Sequence, residues 1–457
     1  MTYAWQVYEG DVRTLIRPLR KHVYGAQAFD AVLCDPPYEL GFMGKSWDRT
    51  GVAFDKRTWA LIRSLCKPGA HLLAFGGTRT AHRLFVAVED GGFEIRDSLA
   101  WLYGSGFPKS LDVSKAIDKA AGAEREVVGV RPGHEEFVGR TDAHSAGARC
   151  DGWDRPWKAD PEKVKAHHLA TAPASPLAKT WAGYGTALKP AYEPIVLARV
   201  PLDGTMVENV TKWGCGALAI DDCRIATDWS ERPESWKRSG HSKKPDAEKI
   251  AAPAGQGIEC HPKGRWPANV LLDEEAAALL DAQTGTLTSG SSDGFQGEVT
   301  KSVALGAKRN QIRPEVIYAD SGGASRFFYT AKASREDRNH GLTHLPKHSP
   351  GEMVNRKEGS AAMQSPRTGA GRLSGAQNIH PTVKPTDLLE YLAKLILPPK
   401  RATPRRLFVP FAGSGSEMIA ALRAGWDEVV GIELEYASLC RERLTHADKS
   451  HQAELFG

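Results

Sequence analysis

Several features are scarce in this chain, and each scarcity argues against a class of protein. No apolar run approaches the ~20 residues that cross a bilayer, and the amino-terminal segment lacks the apolar core of a secretory signal. The seven cysteines are odd in number and widely scattered, and no Cys-x-x-Cys pair occurs. This pattern argues against a disulfide framework and against a zinc site. We therefore expect a cytoplasmic protein with no membrane partner and no metal.

The composition is typical of a soluble globular protein. Hydrophobic residues make up 41% of the 457 residues and charged residues 25%, values that are ordinary for folded domains. This length can supply the cores of two or three domains. The formal net charge of +5 is mildly basic, which permits a nucleic-acid partner without requiring one.

The most informative segment is Asp-Pro-Pro-Tyr, from Asp35 to Tyr38, which follows the apolar run 29–34. Such a run predicts a buried strand, and open α/β sheets bind their ligands at the carboxyl ends of strands. The two prolines stiffen the turn and so hold Asp35 and Tyr38 at a fixed separation. Asp35 and the Pro36 carbonyl can accept the protons of an exocyclic amine, and Tyr38 can stack on a planar base.

A second motif lies near the other end of the chain, where the apolar run 407–411 leads into a glycine-rich turn and then a helix. Gly413 and Gly415 let the backbone approach a ligand closely. Glu433 follows Gly413 by 20 residues, at the end of another predicted strand, and an acid at about that spacing can bind ribose hydroxyls. The third glycine of the dinucleotide fingerprint is missing. A nucleoside with a different tail therefore fits better than a dinucleotide.

With these two motifs, the chain resembles S-adenosylmethionine-dependent DNA amino-methyltransferases of the permuted β class, in which the catalytic motif precedes the cofactor loop. Three further segments are similar to that family: 8–11 (Tyr-Glu-Gly-Asp), 327–333 (Phe-Phe-Tyr-Thr-Ala-Lys-Ala) and 380–385 (His-Pro-Thr-Val-Lys-Pro). The chain departs from the family at Val409, where an aspartate usually precedes Pro-Phe.

The resemblance implies an α/β fold with a seven-stranded, Rossmann-like methyltransferase sheet, circularly permuted and carrying an inserted target-recognition region. It implies S-adenosyl-L-methionine as cofactor, double-stranded DNA as partner and a homodimer as the assembly. The catalytic residues would be Asp35, Pro36, Pro37 and Tyr38. The cofactor would be bound by Asp11, Asp35, His380, Thr382, Lys384, Phe411, Gly413, Ser414, Gly415, Ser416 and Glu433. Asp11 would contact the adenine, Glu433 the ribose, and the polar residues of 380–385 the methionine end.

Five segments are predicted along the chain, in the permuted order that the resemblance implies. The predicted segments are 1–108, the catalytic half of the methyltransferase domain; 109–185, an insertion at the sheet edge; 186–202, the last sheet strand; 203–325, the target-recognition region; and 326–457, the cofactor-binding half.

The predicted target-recognition region contains a basic stretch, 232–265, with interleaved tryptophans. We predict DNA contacts from Lys243, Lys244 and Arg265. Lysine and arginine neutralise phosphates without reading the base sequence, and a solvated loop is the alternative interpretation of this stretch. A protein with this partner would be cytoplasmic and associated with the nucleoid.

The predicted reaction is methyl transfer to adenine N6 of a base flipped out of DNA. The Asp form of the tetrapeptide favours adenine in this family, and cytosine N4 is the alternative. An RNA base or a protein amide is a second alternative, but enzymes of that kind usually place the cofactor loop first. A DNA-binding protein without catalytic activity is a further alternative, but such a protein would not need the intact catalytic and cofactor motifs found here. Cytosine-C5 chemistry is disfavoured because no cysteine follows a proline to act as the nucleophile.

Overall fold

A computed structural model describes residues 4–41, 45–104, 106, 110–131, 169–226, 263–288, 321–332, 339, 341–342, 344–346, 377–380 and 383–456. The strands are β1 (Ala4–Glu9), β2 (Phe29–Cys34), β3 (Cys66–Phe75), β4 (Glu94–Leu102), β5 (Val127–Val130), β6 (Leu169–Thr171), β7 (Tyr192–Arg199), β8 (Val270–Asp273), β9 (Leu287–Thr288), β10 (Ser321–Gly322), β11 (Tyr329–Ala331), β12 (Arg406–Val409) and β13 (Glu428–Glu433). The helices are α1 (Val12–Leu19), α2 (Lys56–Arg63), α3 (Ala81–Asp90), α4 (Val113–Ala120), α5 (Pro176–Thr180), α6 (Met206–Trp213), α7 (Glu274–Thr284), α8 (Thr386–Leu395), α9 (Ser416–Ala424) and α10 (Ala437–Phe456). Within these ranges, no helix combines the length and the apolar character that a membrane span requires.

Nine of the strands in the described ranges form one mixed sheet in the order β1-β13-β12-β2-β3-β7-β4-β8-β11. Neighbouring strands are parallel except where β7 runs antiparallel between β3 and β4. The carboxyl ends of the parallel strands and the amino end of β7 therefore meet at the same edge. This edge is where an α/β sheet of this kind binds its ligand.

The predicted α/β fold is confirmed, and so is the adjacency of the two motif-bearing strands. β2 leads into the Asp-Pro-Pro-Tyr turn and β12 into the glycine loop, and the two pair in parallel, with Leu407 opposite Ala31 and Phe408 opposite Val32. In the part of the chain that the structure describes, the sheet has nine strands rather than the predicted seven, because the short strands β8 and β11 extend it beyond β4.

A buried aspartate, Asp30, ties these two central strands together near their amino ends. Its carboxylate forms ion pairs with Lys67 at 2.7 Å and with Arg401 at 2.6 Å. It also accepts the backbone N–H of Arg406, the first residue of β12, at 2.9 Å. Because an unpaired buried charge is strongly destabilising, loss of these partners would weaken the strand pairing that brings the motifs together.

Side chains of β2 alternate between the two faces of the sheet, and all six of its residues are buried. Ala31 and Leu33 pack on the face covered by α8 and α9, whereas Val32 and Cys34 pack on the face covered by α1, α2 and α3. A strand covered on both faces has a continuous apolar sequence. The run 29–34 is therefore explained by burial on both sides of the sheet.

Candidate active site

A cavity of about 590 Å³ opens at the carboxyl edge of the sheet. It is lined by the turns that follow β1, β2, β12 and β13 and by the amino end of β7. Its volume lies within the ~300–1,000 Å³ of small-molecule sites. Both sequence motifs therefore face one shared space.

The catalytic tetrapeptide of the sequence prediction lies on the cavity wall directly after β2. Asp35 Oδ2 accepts a hydrogen bond from Lys384 Nζ at 2.6 Å, whereas Asp35 Oδ1 is buried and has no hydrogen-bond partner among the described residues. The Tyr38 hydroxyl donates to Glu193 Oε2 at 2.9 Å. Burial, followed by the charges of Asp35 and Glu193, raises the pKa of Tyr38 well above its ordinary value, so the hydroxyl stays protonated.

Lys384 lies among these groups with 7% of its surface exposed. Its Nζ lies 3.1 Å from Tyr38 Oη and 3.2 Å from Glu193 Oε2. Burial alone would lower the pKa of Lys384, but the charges of Asp35 and Glu193 outweigh it and hold the pKa above its ordinary value. The side chain is thus a charged ammonium among oxygen acceptors.

Aromatic side chains line the cavity next to Glu193. Trp101 and Tyr103 lie at the end of β4, with ring centroids 5.3 Å apart, and Tyr192 begins β7. Aromatic faces of this kind can hold a planar base, since each stacked base contributes ~1–3 kcal/mol. This part of the cavity is therefore suited to a ring, and the tetrapeptide to an amine on that ring.

The loop between β12 and α9 requires glycine at two positions. Gly413 has φ +52° and Gly415 has φ +85°, which are left-handed conformations that favour glycine. A Cβ atom on Gly413 would lie 3.0 Å from His380 Nε2, and one on Gly415 would lie 2.8 Å from Cys440 Sγ. Close packing as well as backbone conformation therefore explains the Gly-x-Gly spacing.

Glu433 connects this loop to the neighbouring strand β13. Its Oε2 accepts the backbone N–H of Gly413 at 2.6 Å, and its Oε1 accepts those of Glu435 and Tyr436 at 3.0 and 3.1 Å. Burial raises the pKa of Glu433, although these N–H groups act in the opposite direction. Since a carboxylate oxygen has two lone pairs, Oε2 keeps one acceptor position for a ligand hydroxyl.

Asp11 lines the cavity just after β1, the strand that pairs with β13. Its carboxylate caps α1 by accepting the backbone N–H of Arg13 at 2.8 Å, and Arg13 Nε donates to the same oxygen at 3.0 Å. The side-chain hydrogen bond from Arg13 lowers the pKa of Asp11. Asp11 and Glu433 thus come from adjacent strand ends, and each already has a structural role in its own loop.

The buried arginine Arg443, from α10, supports the glycine loop. It is 1% exposed, and its Nη1 donates to the Ser414 carbonyl, to Ser414 Oγ and to Ser416 Oγ, each at 2.9 Å. Hydrogen bonds from a charged donor contribute ~1.5–3 kcal/mol each. Ser414 and Ser416, predicted as cofactor residues, therefore also anchor the loop to the last helix.

The first turn of α9 places another carboxyl group, Glu417, on the cavity wall with 5% exposure. Burial, followed by the charge of Asp35, raises the pKa of Glu417 to about 8. The carboxyl is therefore mostly protonated at neutral pH. It adds an ionisable group to the space between the two motifs.

Two further predicted cofactor residues also line the cavity. His380 stacks on Trp47, with ring centroids 6.2 Å apart and planes 15° apart, and meets Tyr436 edge-on at 4.8 Å. Phe411 lines the cavity and lies 6.3 Å from the ring of Trp59. The aromatic packing fixes both side chains beside the glycine loop.

Not every predicted residue falls in this site. Arg265 is 6% exposed, exchanges backbone hydrogen bonds with Ile225 and lies over the ring of Phe327 at 4.7 Å. It thus packs inside the protein, and its predicted DNA contact stays a prediction. The predicted residues outside the described ranges are Thr382, Lys243 and Lys244.

Several residues of the site are absent from the sequence prediction, among them Glu193, Glu417 and Arg443. Glu193 could have been found, because an antiparallel strand at 193–198 brings its amino end to the edge where its parallel neighbours end. Glu417 lies one residue after the predicted cofactor loop. No sequence motif around Arg443 indicates that this residue contacts the glycine loop. Val409, where the family that the chain resembles has an acid, is fully buried in β12, and its side chain offers no polar contact.

No protein-family model and no curated protein matches the chain. Solved structures similar to it include M1.HpyAVI, 11% identical over 96% of this chain and 98% of that chain, with TM-score 0.33. A putative DNA modification methylase from Thermus thermophilus, complexed with S-adenosyl-L-methionine, is 12% identical over 97% and 94%, with TM-score 0.35. PvuII DNA methyltransferase, cytosine-N4-specific, is 10% identical over 98% and 94%, with TM-score 0.36. At such identities and scores these similarities identify no activity for this chain, and its fold is shown by the strand order.

Proposed function

We propose that the chain is an S-adenosylmethionine-dependent DNA amino-methyltransferase that methylates adenine N6 in double-stranded DNA. The observation that carries this proposal is the shared cavity. The Asp-Pro-Pro-Tyr turn and the glycine loop follow neighbouring parallel strands and line the same space. Methyl transfer from a nucleoside-bearing donor to an amine needs this proximity. The order of the two motifs along the chain supports the permuted β class.

The residues present fit S-adenosylmethionine. Glu433 keeps an acceptor for a ribose hydroxyl, and the left-handed glycines allow the loop to approach the ligand closely. Asp35 lines the cavity with a carboxylate that would favour a positively charged ligand, and the Glu417 carboxyl beside it is mostly protonated and adds no repulsive positive charge. When bound, the cofactor would supply a methyl group on a sulfonium, which is a good leaving group.

The chain's own residues would activate and align the target amine. The lone pair of that amine is delocalised into the ring, so the amine is a poor nucleophile. Hydrogen bonds to Asp35 and to the Pro36 carbonyl would favour a tetrahedral nitrogen and stabilise the positive charge that develops there. Tyr38 would stack on the flipped base and offset part of the few kcal/mol that flipping costs. Alignment of the amine with the methyl group for in-line transfer would then account for most of the rate acceleration.

Cytosine N4 is the alternative target, because the same acceptors suit the amine of either base. The aspartate of the tetrapeptide favours adenine by resemblance. An RNA base or a protein amide is a second alternative, disfavoured by the motif order. We further propose that residues 203–325 recognise the target and that the protein works as a cytoplasmic, nucleoid-associated homodimer.

The test is to incubate the protein with labelled S-adenosylmethionine and unmethylated plasmid, digest the DNA to nucleosides and identify the product by mass spectrometry. N6-methyladenine is the expected product. N4-methylcytosine alone would establish the alternative target. Asp35→Ala should abolish transfer while still binding the cofactor in a calorimetric titration. Transfer to RNA but not to DNA, or no transfer by a protein that binds the cofactor, would refute the proposed function.

A further inference from the structure

We propose that Lys384 is a positioning residue that orients Asp35 toward the target amine, with Glu193 as its counter-charge, and that Lys384 does not bind the cofactor. This inference rests on the proposed function. It reassigns a residue that the resemblance places at the methionine end of the cofactor.

Among the described residues, the polar contacts of Lys384 are with the catalytic turn and with Glu193 beside it. A lysine ammonium has three N–H donors and no acceptor. Three oxygens lie within 3.2 Å of Nζ: Asp35 Oδ2 at 2.6 Å, Tyr38 Oη at 3.1 Å and Glu193 Oε2 at 3.2 Å. The acceptors equal the donors in number, which leaves no donor for the carboxylate of a methionine.

Two aromatic rings enclose the same ammonium. Nζ lies 5.3 Å from the ring centroid of Tyr38 and 4.9 Å from that of Phe75, both within cation–π range. With 7% exposure, Lys384 has little room to turn toward another partner. The ammonium is therefore held where the tetrapeptide begins.

This arrangement makes the two oxygens of Asp35 different. Oδ2 is occupied by Lys384, whereas Oδ1 is buried and has no hydrogen-bond partner among the described residues. Asp35 lines the cavity, and its Oδ1, although shielded from solvent, is the oxygen whose acceptor positions are unused, so Oδ1 would accept an N–H of the target amine once the base is bound. Holding one carboxylate oxygen restricts rotation of the group, and catalytic groups need placement within ~0.5 Å.

Glu193 completes the arrangement from β7. Its Oε2 accepts the Tyr38 hydroxyl at 2.9 Å as well as contacting Lys384. Lys384, Tyr38 and Glu193 thus form a closed triangle of polar contacts beside Asp35. The second carboxylate keeps the ammonium in place when Asp35 engages a substrate, and it links the lysine to the stacking ring.

The experiment compares full-length wild type with Lys384→Ala in methyl transfer and in calorimetric cofactor binding. The rate constant kcat should fall about 100-fold, the loss typical of a misplaced catalytic group, while the cofactor Kd stays unchanged. Propylammonium replaces the deleted atoms and should restore the rate in a saturable manner. Tetramethylammonium has the same charge but no N–H donor, and it should not restore the rate. Lys394→Ala, a lysine on the exposed side of α8, serves as the matched control.

Glu193→Gln supplies a second, independent measurement. It should lower kcat with the cofactor Kd unchanged. Because Glu193 acts through Lys384, the double variant should be no slower than Lys384→Ala alone, which is a non-additive result. If the losses in kcat of the two single variants multiply in the double variant, Glu193 acts independently of Lys384, and its assignment as the counter-charge of Lys384 is overturned.

The outcomes separate this inference from the proposed function. A raised cofactor Kd with unchanged kcat in Lys384→Ala would show that Lys384 binds the cofactor, and it would overturn the inference. Failure of propylammonium, with an unchanged Kd, would overturn the positioning role. A wild type that transfers no methyl group to DNA would refute the proposed function instead, and calorimetry would still decide whether Lys384 contributes to cofactor binding.

Discussion

Glu417→Gln should change how the stability of this protein depends on pH. Glu417 is 5% exposed on the cavity wall, and burial followed by the charge of Asp35 raises its pKa to about 8 from an ordinary value of 4.5. The folded protein therefore holds this proton more tightly than the unfolded chain does. Glutamine has nearly the same shape and stays neutral at every pH, so the variant removes the titration and keeps the packing.

The sign and size of the effect follow from proton linkage. A carboxyl whose pKa is raised on folding contributes its full stability below the unfolded-state pKa and loses it as pH rises toward the folded-state pKa. At about 1.4 kcal/mol per pH unit, the window from 4.5 to about 8 corresponds to at most ~5 kcal/mol. The wild type should thus lose stability relative to Glu417→Gln across this window.

The assay is denaturant unfolding of both proteins at about pH 5, 6, 7 and 8, with the difference in unfolding free energy compared at each pH. Glu89→Gln on α3 is the matched control, because it makes the same substitution at an exposed glutamate away from the cavity. If the difference in unfolding free energy between wild type and Glu417→Gln stays constant from pH 5 to pH 8, the reasoning is refuted.

Four further tests address the cofactor contacts, the stacking ring, the basic stretch and the assembly. Glu433→Ala should raise the cofactor KM ten- to a hundredfold, or ~1.4–3 kcal/mol, and Asp11→Ala should raise it too; unchanged affinity in both would contradict the cofactor placement. Tyr38→Phe keeps the stacking ring and so should keep part of the activity, but its hydroxyl contacts a lysine and a carboxylate, so a full wild-type kcat would show those contacts to be dispensable. Neutralising Lys243 and Lys244 should weaken binding equally on target and non-target DNA and flatten its salt dependence; a loss confined to target DNA would assign them to base reading. Light scattering without and with a target duplex should show a homodimer, and a monomer in both states would refute that assembly.

The local features of this protein were predictable from its sequence because they depend on short-range rules. The apolar run 29–34 predicted a buried strand, and the structure has β2 over Phe29–Cys34. The glycine loop predicted a strand, a turn and a helix, which are β12, the residues around Gly413 and α9. Strand periodicity, proline stiffness and the left-handed conformation of glycine act within a few residues, so each leaves a visible pattern.

Only the tertiary structure decided which groups share the site. Asp35 and Lys384 lie 349 positions apart in the chain, and Tyr38 and Glu193 lie 155 apart. Their contacts depend on the order of strands in the sheet and on the reversed direction of β7, which no local pattern specifies. The burial that raises the pKa of Glu417 likewise comes from elements packed around it. Residue type and spacing were enough to predict a reactive turn and a ligand loop, but the polar network around Asp35 exists only once distant segments pack together.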